Sequence, residues 1–371
     1  MEAVKNFVKN EIVLVVAFVL AVISSFVVRP DRQYISYIDF RTLSILLALM
    51  ITMAGLQRLS VFRQIGELLV SKMSSIRGVV LVLLALCFFS SMFITNDVAL
   101  LTFVPFSIVT LSISNRKDLF IIVIVLETIG ANLGSMLTPL GNPQNLYLYS
   151  KSGMSLVAFV RLMLPYSLAA FIMLVACGFI FIKSENVTLA DKHKYQRSLR
   201  DKRMIGIYVF TFFISILVVA RVLDYRIGLL IVLLLTLLLD RPVLRKPDYS
   251  LLFTFIFLFI FIGNIKRMPE LSSAINDLLK INEVGVSIFL SQFISNVPAA
   301  ILCSGFTDNI DKLIIGTNLG GLGTLIASMA SLISFKQYSY IDGAVKPKYL
   351  LVFTGLNILF LIVMLVLYAA F

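Results

Sequence analysis

Two short polar signatures, each occurring twice, carry most of the chemistry open to this chain. Thr95-Asn96-Asp97, preceded by Phe93-Ile94, recurs as Ser295-Asn296-Val297, preceded by Phe293-Ile294. Downstream, Ile129-Gly130-Ala131-Asn132-Leu133-Gly134 recurs as Ile315-Gly316-Thr317-Asn318-Leu319-Gly320. The order is the same in both halves, and all four signatures interrupt long apolar runs. A helix broken inside a bilayer presents free carbonyls at the end of one half and free N–H groups at the start of the next. Such carbonyls, with Asn and Ser/Thr oxygens, are hard ligands suited to Na⁺, whereas the N–H groups and the positive dipole end suit an anion. Glycine lets the backbone approach a ligand, and Pro139, Pro143 and Pro298 remove helical donors beside the breaks. Taken singly, Gly130-x-x-x-Gly134 and Gly316-x-x-x-Gly320 read as close helix packing. Duplicated, with an Asn inside each, they read as a paired site.

Charge distinguishes the halves. Of 20 acidic residues, only Asp97 and Glu127 fall well inside apolar segments, both in the first half. Aligning Ile129 with Ile315 sets Leu313 opposite Glu127, and Val297 stands opposite Asp97. An ionisable group at membrane depth is costly and marks function by default. Either carboxylate is suited to exchanging a proton for a bound cation. No Lys or Arg lies within the four signatures. An anionic substrate would therefore rely on backbone N–H groups, amides, hydroxyls and co-bound cations. A neutral solute such as arsenous acid, or cation exchange alone, fits the same donor set.

The elements that must hold these groups are membrane helices. The 371 residues are 59% hydrophobic and 14% charged, with a mean hydropathy of +0.99. A spanning helix needs roughly 20 mostly apolar residues. Spans are expected at 12–28, 40–57, 119–148 (interrupted), 157–182, 204–221, 226–240, 251–265, 312–338 (interrupted) and 347–370. The stretches 78–113 and 284–306 have polar centres between short apolar arms, as a re-entrant hairpin would. Each follows an amphipathic stretch, 58–77 or 267–283, that suits a helix lying at the interface. The expected fold is all-α and polytopic: two inverted-topology repeats, 1–182 and 204–371, each with a re-entrant hairpin and a broken helix. Between them lies a basic loop, 183–203. The apolar run from Ile12, behind Lys5 and Lys9, reads as a retained first helix, since no small-x-small cleavage site follows it.

Orientation follows from loop charge. With nine crossings and two hairpins, the N-terminal side receives 21 of the 32 lysines and arginines. The positive-inside rule then places the N-terminus and the 183–203 loop in the cytoplasm and the C-terminus outside. The same count puts the first hairpin on the cytoplasmic face and the second on the outer face. The net charge of +12 is accordingly a property of loops touching anionic lipid, and no nucleic-acid partner is expected. Cys87, Cys177 and Cys303 sit singly in apolar segments, so neither a disulfide framework nor a thiolate metal site is indicated. The only histidine, His193, lies in the basic loop. With no His-Glu-x-x-His, cysteine cluster or phosphate-binding glycine loop, no catalytic centre and no bound cofactor are expected.

On these residues the chain resembles the ion-transporter superfamily, notably its arsenite-permease/NhaD-like and divalent-anion:sodium-symporter branches. Thr95-Asn96-Asp97 and Ser295-Asn296-Val297 look like the Ser-Asn-Thr hairpin tips of dicarboxylate symporters. The run from Ile129 to Asn145 and that from Gly316 to Ser328 look like the two broken-helix signatures. The resemblance implies an elevator-type secondary transporter of the cell membrane, often a homodimer, moving a small anion with Na⁺ or H⁺ as coupling ion. It places substrate at Thr95, Asn96, Asn142, Pro143, Asn145, Ser295, Asn296 and Thr324. Cation or proton coupling would fall to Asp97, Glu127, Gly130, Asn132, Asn296, Thr317 and Asn318. Na⁺ would lie at Asn96, Asp97 and Asn132 and at Ser295, Asn296 and Asn318. The third tip position is Asp97 in one half and Val297 in the other, which departs from the symporter signature. Na⁺/H⁺ exchange and metalloid efflux are the alternatives within transport. An ion channel suits midplane breaks in two single-copy repeats less well than alternating access does.

Overall fold

The computed structural model describes residues 11–187 and 198–370. Lys5, Lys9 and His193 lie outside them, so the readings of the first helix's flank and of the basic loop's centre do too. The described chain is helical throughout apart from short connections. The first half comprises α1 (Ile12–Val27), α2 (Gln33–Tyr37), α3 (Phe40–Arg58), α4 (Val61–Val70), α5 (Ile76–Ile94), α6 (Asn96–Ile113), α7 (Phe120–Ser135), α8 (Pro143–Ser152) and α9 (Leu156–Phe181). The second comprises α10 (Leu199–Val219), α11 (Tyr225–Leu239), α12 (Tyr249–Lys266), α13 (Pro269–Ile281), α14 (Glu283–Ile294), α15 (Asn296–Cys303), α16 (Ile310–Leu319), α17 (Met329–Ser339) and α18 (Lys346–Ala370). Eight helices among the described residues are long and apolar enough to cross a membrane. The chain is an all-α polytopic membrane protein.

Two boundaries differ from the sequence-based expectation. Helix α10 begins at Leu199, inside the stretch read as loop, because the Ser198 side chain accepts the Asp201 N–H and caps it. The first hairpin's arms are not short. Helices α5 and α6 have 19 and 18 residues, or about 28 Å at 1.5 Å per residue. Those of the second, α14 and α15, have 12 and 8.

Both hairpins turn on one residue with nearly the same backbone: Thr95 at φ 67°, ψ 149° and Ser295 at φ 70°, ψ 154°. Only glycine adopts that region readily, and holding another residue there costs about 1–3 kcal/mol. Residues 136–142 separate α7 from α8, and residues 320–328 separate α16 from α17.

Packing sorts the helices into two groups. In the first, α5 lies along α7 and α14 along α16, while α8 packs on α15 and α16, and α17 on α6 and α7. Each second half-helix is therefore held by the other half of the molecule. The close approach of α7 to α5 and of α16 to α14 depends on glycine. A Cβ at Gly134 would strike the Phe88 carbonyl and Ser91, and one at Gly320 would meet Ser291. In the second group, α3 packs on α10 and α11, and α12 on α1. Among the described residues, the main contacts with the first group come from α3, through α8, and α12, through α15. Amphipathic α4 follows α3 and α13 follows α12, each leading into a hairpin.

Candidate functional site

The breaks bring a compact set of amides and hydroxyls together. Asn132, on the last turn of α7, is 5% exposed. Its Oδ1 accepts from Asn96 Nδ2 (3.1 Å) and Ser328 Oγ (3.1 Å), and its Nδ2 donates to Ser331 Oγ (3.3 Å). Asn318, at the matching place on α16, accepts from Asn142 Nδ2 (3.2 Å) and donates to Asn145 Oδ1 (2.6 Å) and to the Ile314 carbonyl (2.7 Å). The offset of 186 that aligns Ile129 with Ile315 also aligns Asn142 with Ser328 and Asn145 with Ser331. Each motif Asn thus bonds the same two positions of the other repeat. Buried amides left without partners would each cost about 1–3 kcal/mol, which is what this mutual pairing avoids.

The hairpin tips are tied to the breaks in corresponding ways. The Thr138 hydroxyl donates to the Met92 carbonyl, and the Thr324 hydroxyl to the Gln292 carbonyl at 3.1 Å. Both acceptors lie three residues before the tip. At the first tip the Asn96 N–H also donates to the Gly141 carbonyl (3.0 Å). The second tip is slacker. There the Ser295 hydroxyl lies 3.5 Å from both Asn296 Oδ1 and the Ala327 carbonyl. Three oxygens converge at that point, the kind of donors a hard cation takes. Gln292 braces the second break: Nε2 donates to the Gly320 and Leu322 carbonyls (3.1 and 3.0 Å), and Oε1 accepts the Thr324 N–H (2.9 Å).

Beside this network lies a cavity of about 210 Å³. Its inner wall carries Thr95, Asp97, Asn142, Pro143 and Met329, its outer wall aliphatic residues of α3, and its rim Lys246 and Asp248. Three helices, α6, α8 and α17, start on this cavity. Several helices elsewhere are capped by side chains, as α3 is by Asp39 and α9 by Ser155. Neither the start of α6 at Thr95 nor that of α17 at Ser328 has a side-chain cap. The start of α8 is capped by the Asn142 side chain, which accepts the Asn145 N–H, and at α6 the Asn96 and Asp97 N–H groups are taken by the Gly141 carbonyl and Asn96 Oδ1. What the three starts share is the positive ends of their dipoles, directed at one space. Asp97 stands among them. Its backbone N–H bonds Asn96 Oδ1 (3.0 Å), while its carboxylate Oδ1 is out of solvent and has no hydrogen-bond partner.

Not every anticipated residue joins this arrangement. Asn96, Asn132, Asn142, Asn145 and Asn318 form the network; Thr95, Asp97 and Pro143 line the cavity beside it. Ser295 and Asn296 sit at the second tip, where the Asn296 amide lies against Gly321 and is not bonded to Asn318. Thr324 is exposed and serves Gln292. Gly130 faces Leu174, and Thr317 bonds back to the Leu313 carbonyl (2.7 Å). Both are packing positions. Glu127 is fully buried away from the cavity, its Oε1 accepting from the Ser107 hydroxyl and its Oε2 unpartnered. Sequence reasoning did not select Ser331, Thr138, Gln292 or Ser135, and it left Ser328 as the mere end of a signature. Carrying Asn142, Asn145 and Thr324 across by the repeat offset would have found Ser328, Ser331 and Thr138.

Comparison with known proteins relates the chain to transporters. A family profile described as citrate transporter, CitMHS, matches residues 7–311. An uncharacterised transporter of Methanocaldococcus jannaschii is 33% identical over 298 residues, 79% of either chain. The inner membrane protein YbiR of Escherichia coli is 29% identical over 325 residues, 85% of this chain and 84% of its own. The silicon efflux transporter LSI3 of Oryza sativa is 31% identical over 143 residues, 38% of this chain and 29% of its own.

Proposed function

Because this chain belongs to the CitMHS citrate transporter family, and is thus a membrane transporter, we propose that it moves a small carboxylate or oxyanion by secondary, elevator-type alternating access coupled to Na⁺ or H⁺. The observation that carries the reading is the cavity shared by three helix starts and one unpartnered carboxylate oxygen. The helix starts favour an anion, and the Asp97 charge opposes one. An anion therefore binds well only when Asp97 is neutralised, by a proton or by a cation held with Asn96 and Asn132. The three oxygens at Ser295, Asn296 and Ala327 form a second cation place. This mutual requirement is the coupling: cation and anion each raise the other's affinity.

The packing supports an elevator. Hairpins and broken helices interlock crosswise as one body, while the facing side of α3 is aliphatic where it lines the cavity, with Leu46, Leu49, Met50 and Met53. Such a face has few directional bonds to break when the body slides. The cavity reaches Asp97 from the side of Lys246, which loop charge assigns to the cytoplasm of a cell-membrane carrier. On that assignment the conformation faces inward. A homodimer would use the α1, α10, α11 and α12 side.

The test is uptake by proteoliposomes. Labelled citrate or a dicarboxylate should enter when an inward Na⁺ or proton gradient is imposed, saturate, and show counterflow. Proton movement driven by Na⁺ without any anion would overturn the reading in favour of an exchanger. A second reading rests on the absence of Lys and Arg from the network, whose donors are amides and hydroxyls. These would equally hold a neutral hydroxylated solute, in line with the silicon efflux named for the rice relative. Efflux of silicic or arsenous acid in place of anion uptake would favour it.

A further inference from the structure

Helix α8 borders two cavities. Leu146 lines the one that holds Asp97, and Tyr147 and Lys151, further along the helix, line another of about 330 Å³. Helix α3 bounds both: its body lines the first, and its N-cap Asp39 lines the second. The second cavity also spans the boundary between the two helix groups, with Tyr147, Lys151 and Ile301 on one side and Tyr37, Phe259 and Lys266 on the other. Two clefts set apart along the same pair of helices suit a single path closed between them. A cleft of this size is in the range that holds small molecules.

Charge says what the second cleft would take. Lys151 enters from the core and Lys266 from α12, and neither is in an ion pair among the described residues. The one carboxylate lining the cleft, Asp39, is engaged at the start of α3, where it accepts from the Thr42 N–H (3.0 Å) and hydroxyl (2.6 Å). Lys151 Nζ donates to the Ser304 carbonyl, and the Tyr147 hydroxyl bonds Ser304 Oγ (2.9 Å). The lysine head is thereby fixed in place at the cleft. The Lys151 and Lys266 charges repel each other, Asp39 and Asp308 offset part of that, and an anion between the lysines removes the rest.

We propose that this cleft is a second anion site, the vestibule through which substrate passes on the face away from Lys246, with Lys151 and Lys266 as its counter-charges. The inference rests on the anion reading above and adds the second binding place to it. The side chains suit a small di- or tricarboxylate better than a monovalent anion, since each lysine can meet a separate carboxylate.

The test is protection from labelling in membranes that contain the whole carrier. Ser36→Cys places a thiol at the cleft and leaves both lysines in place, and the native Cys87, Cys177 and Cys303 are buried. A membrane-impermeant maleimide should label this thiol from the face away from the 241–250 loop. Citrate at ten times its half-saturating concentration leaves about one site in eleven free, so labelling should slow about tenfold. Lys151→Gln should abolish the protection, and Lys151→Arg should retain it. Protection that persists in Lys151→Gln, no slowing by citrate, or no labelling from that face would each overturn the proposal. A wild-type carrier that fails to move any carboxylate would instead overturn the anion reading, so the two failures are distinguishable.

Discussion

Asn318 on the second broken helix donates its side-chain N–H to Asn145 Oδ1 on the first, at 2.6 Å. Asn132 and Ser331 make the counterpart bond at 3.3 Å. The two repeats are thus stitched through the residues that interrupt them, and a perturbation at one break reaches the other. Replacing Asn318 by Asp tests this, because the new carboxylate would set oxygen against Asn145 Oδ1 and the Ile314 carbonyl. We expect Asn318→Asp to cost about 2–3 kcal/mol through unsatisfied buried acceptors, read as a lower melting temperature in detergent. Asn318→Asp with Asn145→Ala should cost less than the sum of the singles, since the two residues share a bond.

Asp97 carries the coupling. Asp97→Asn keeps the shape and the cavity while removing the charge. Anion binding should then persist with its dependence on cation concentration and pH largely gone. Binding titrations at two Na⁺ concentrations and two pH values would show this. A variant that keeps the full dependence on both would exclude Asp97 as the coupling group.

Gly134 and Gly320 are needed for contact between broken helix and hairpin. A methyl group at Gly134 meets the backbone carbonyl of Phe88, which cannot swing aside as a side-chain tip can. Gly134→Ala should cost about 1–3 kcal/mol, the usual range for overpacking. Gly320→Ala meets the Ser291 side chain. Its loss should be partly recovered by Ser291→Gly, which thermal unfolding of the double variant would measure.

Arg221 holds the end of α8 to the surrounding helices. Its guanidinium donates to the Gly153 and Tyr149 carbonyls (3.2 and 3.3 Å) and lies 5.4 Å from the centre of the Tyr149 ring. The cation complements the negative C-terminal end of the helix. If the core slides, these bonds break in each cycle. Arg221→Gln should therefore shift the carrier toward the other conformation. The readout is the accessibility of a cysteine placed at Met50 in the first cavity, which should fall several-fold.

Outside the membrane-spanning helices, Arg267 ties α12 to the loop after α1 through Asp31 (2.7 Å). The slight desolvation of this carboxyl raises its pKa, but bonds from Arg267 and the Gln33 N–H outweigh that and leave it below the usual carboxylate value. A lowered folded-state pKa means the contribution is complete above the unfolded value, near pH 4, and disappears as pH falls through the folded one. Asp31→Asn should leave the melting temperature unchanged in acid below that range and lower it only slightly at pH 7. The wild-type and variant curves should converge as pH falls.

The chain's own pattern determined a good deal: the membrane class, most helix boundaries to within a few residues, both hairpin turns and both breaks. Those features are local. An apolar run of a given length must cross or enter the bilayer, and a Gly, Pro or Asn cluster within it must interrupt the backbone hydrogen bonds. The unequal placement of Asp97 and Glu127 between the halves was equally legible. Their different fates were not, since Asp97 reaches a cavity only because α3 and the 246–251 segment stand off from α6, whereas Glu127 is sealed by α5, α6 and α18. Likewise Gly130 and Gly134 are indistinguishable as a four-residue repeat, yet one meets a leucine side chain and the other a backbone carbonyl. Tertiary packing alone decided that Asn132 would bond Ser328 and Ser331 while Asn318 bonded Asn142 and Asn145. A polar group in a membrane interior needs a partner, and sequence can state the need; which partner answers depends on how two distant helices cross.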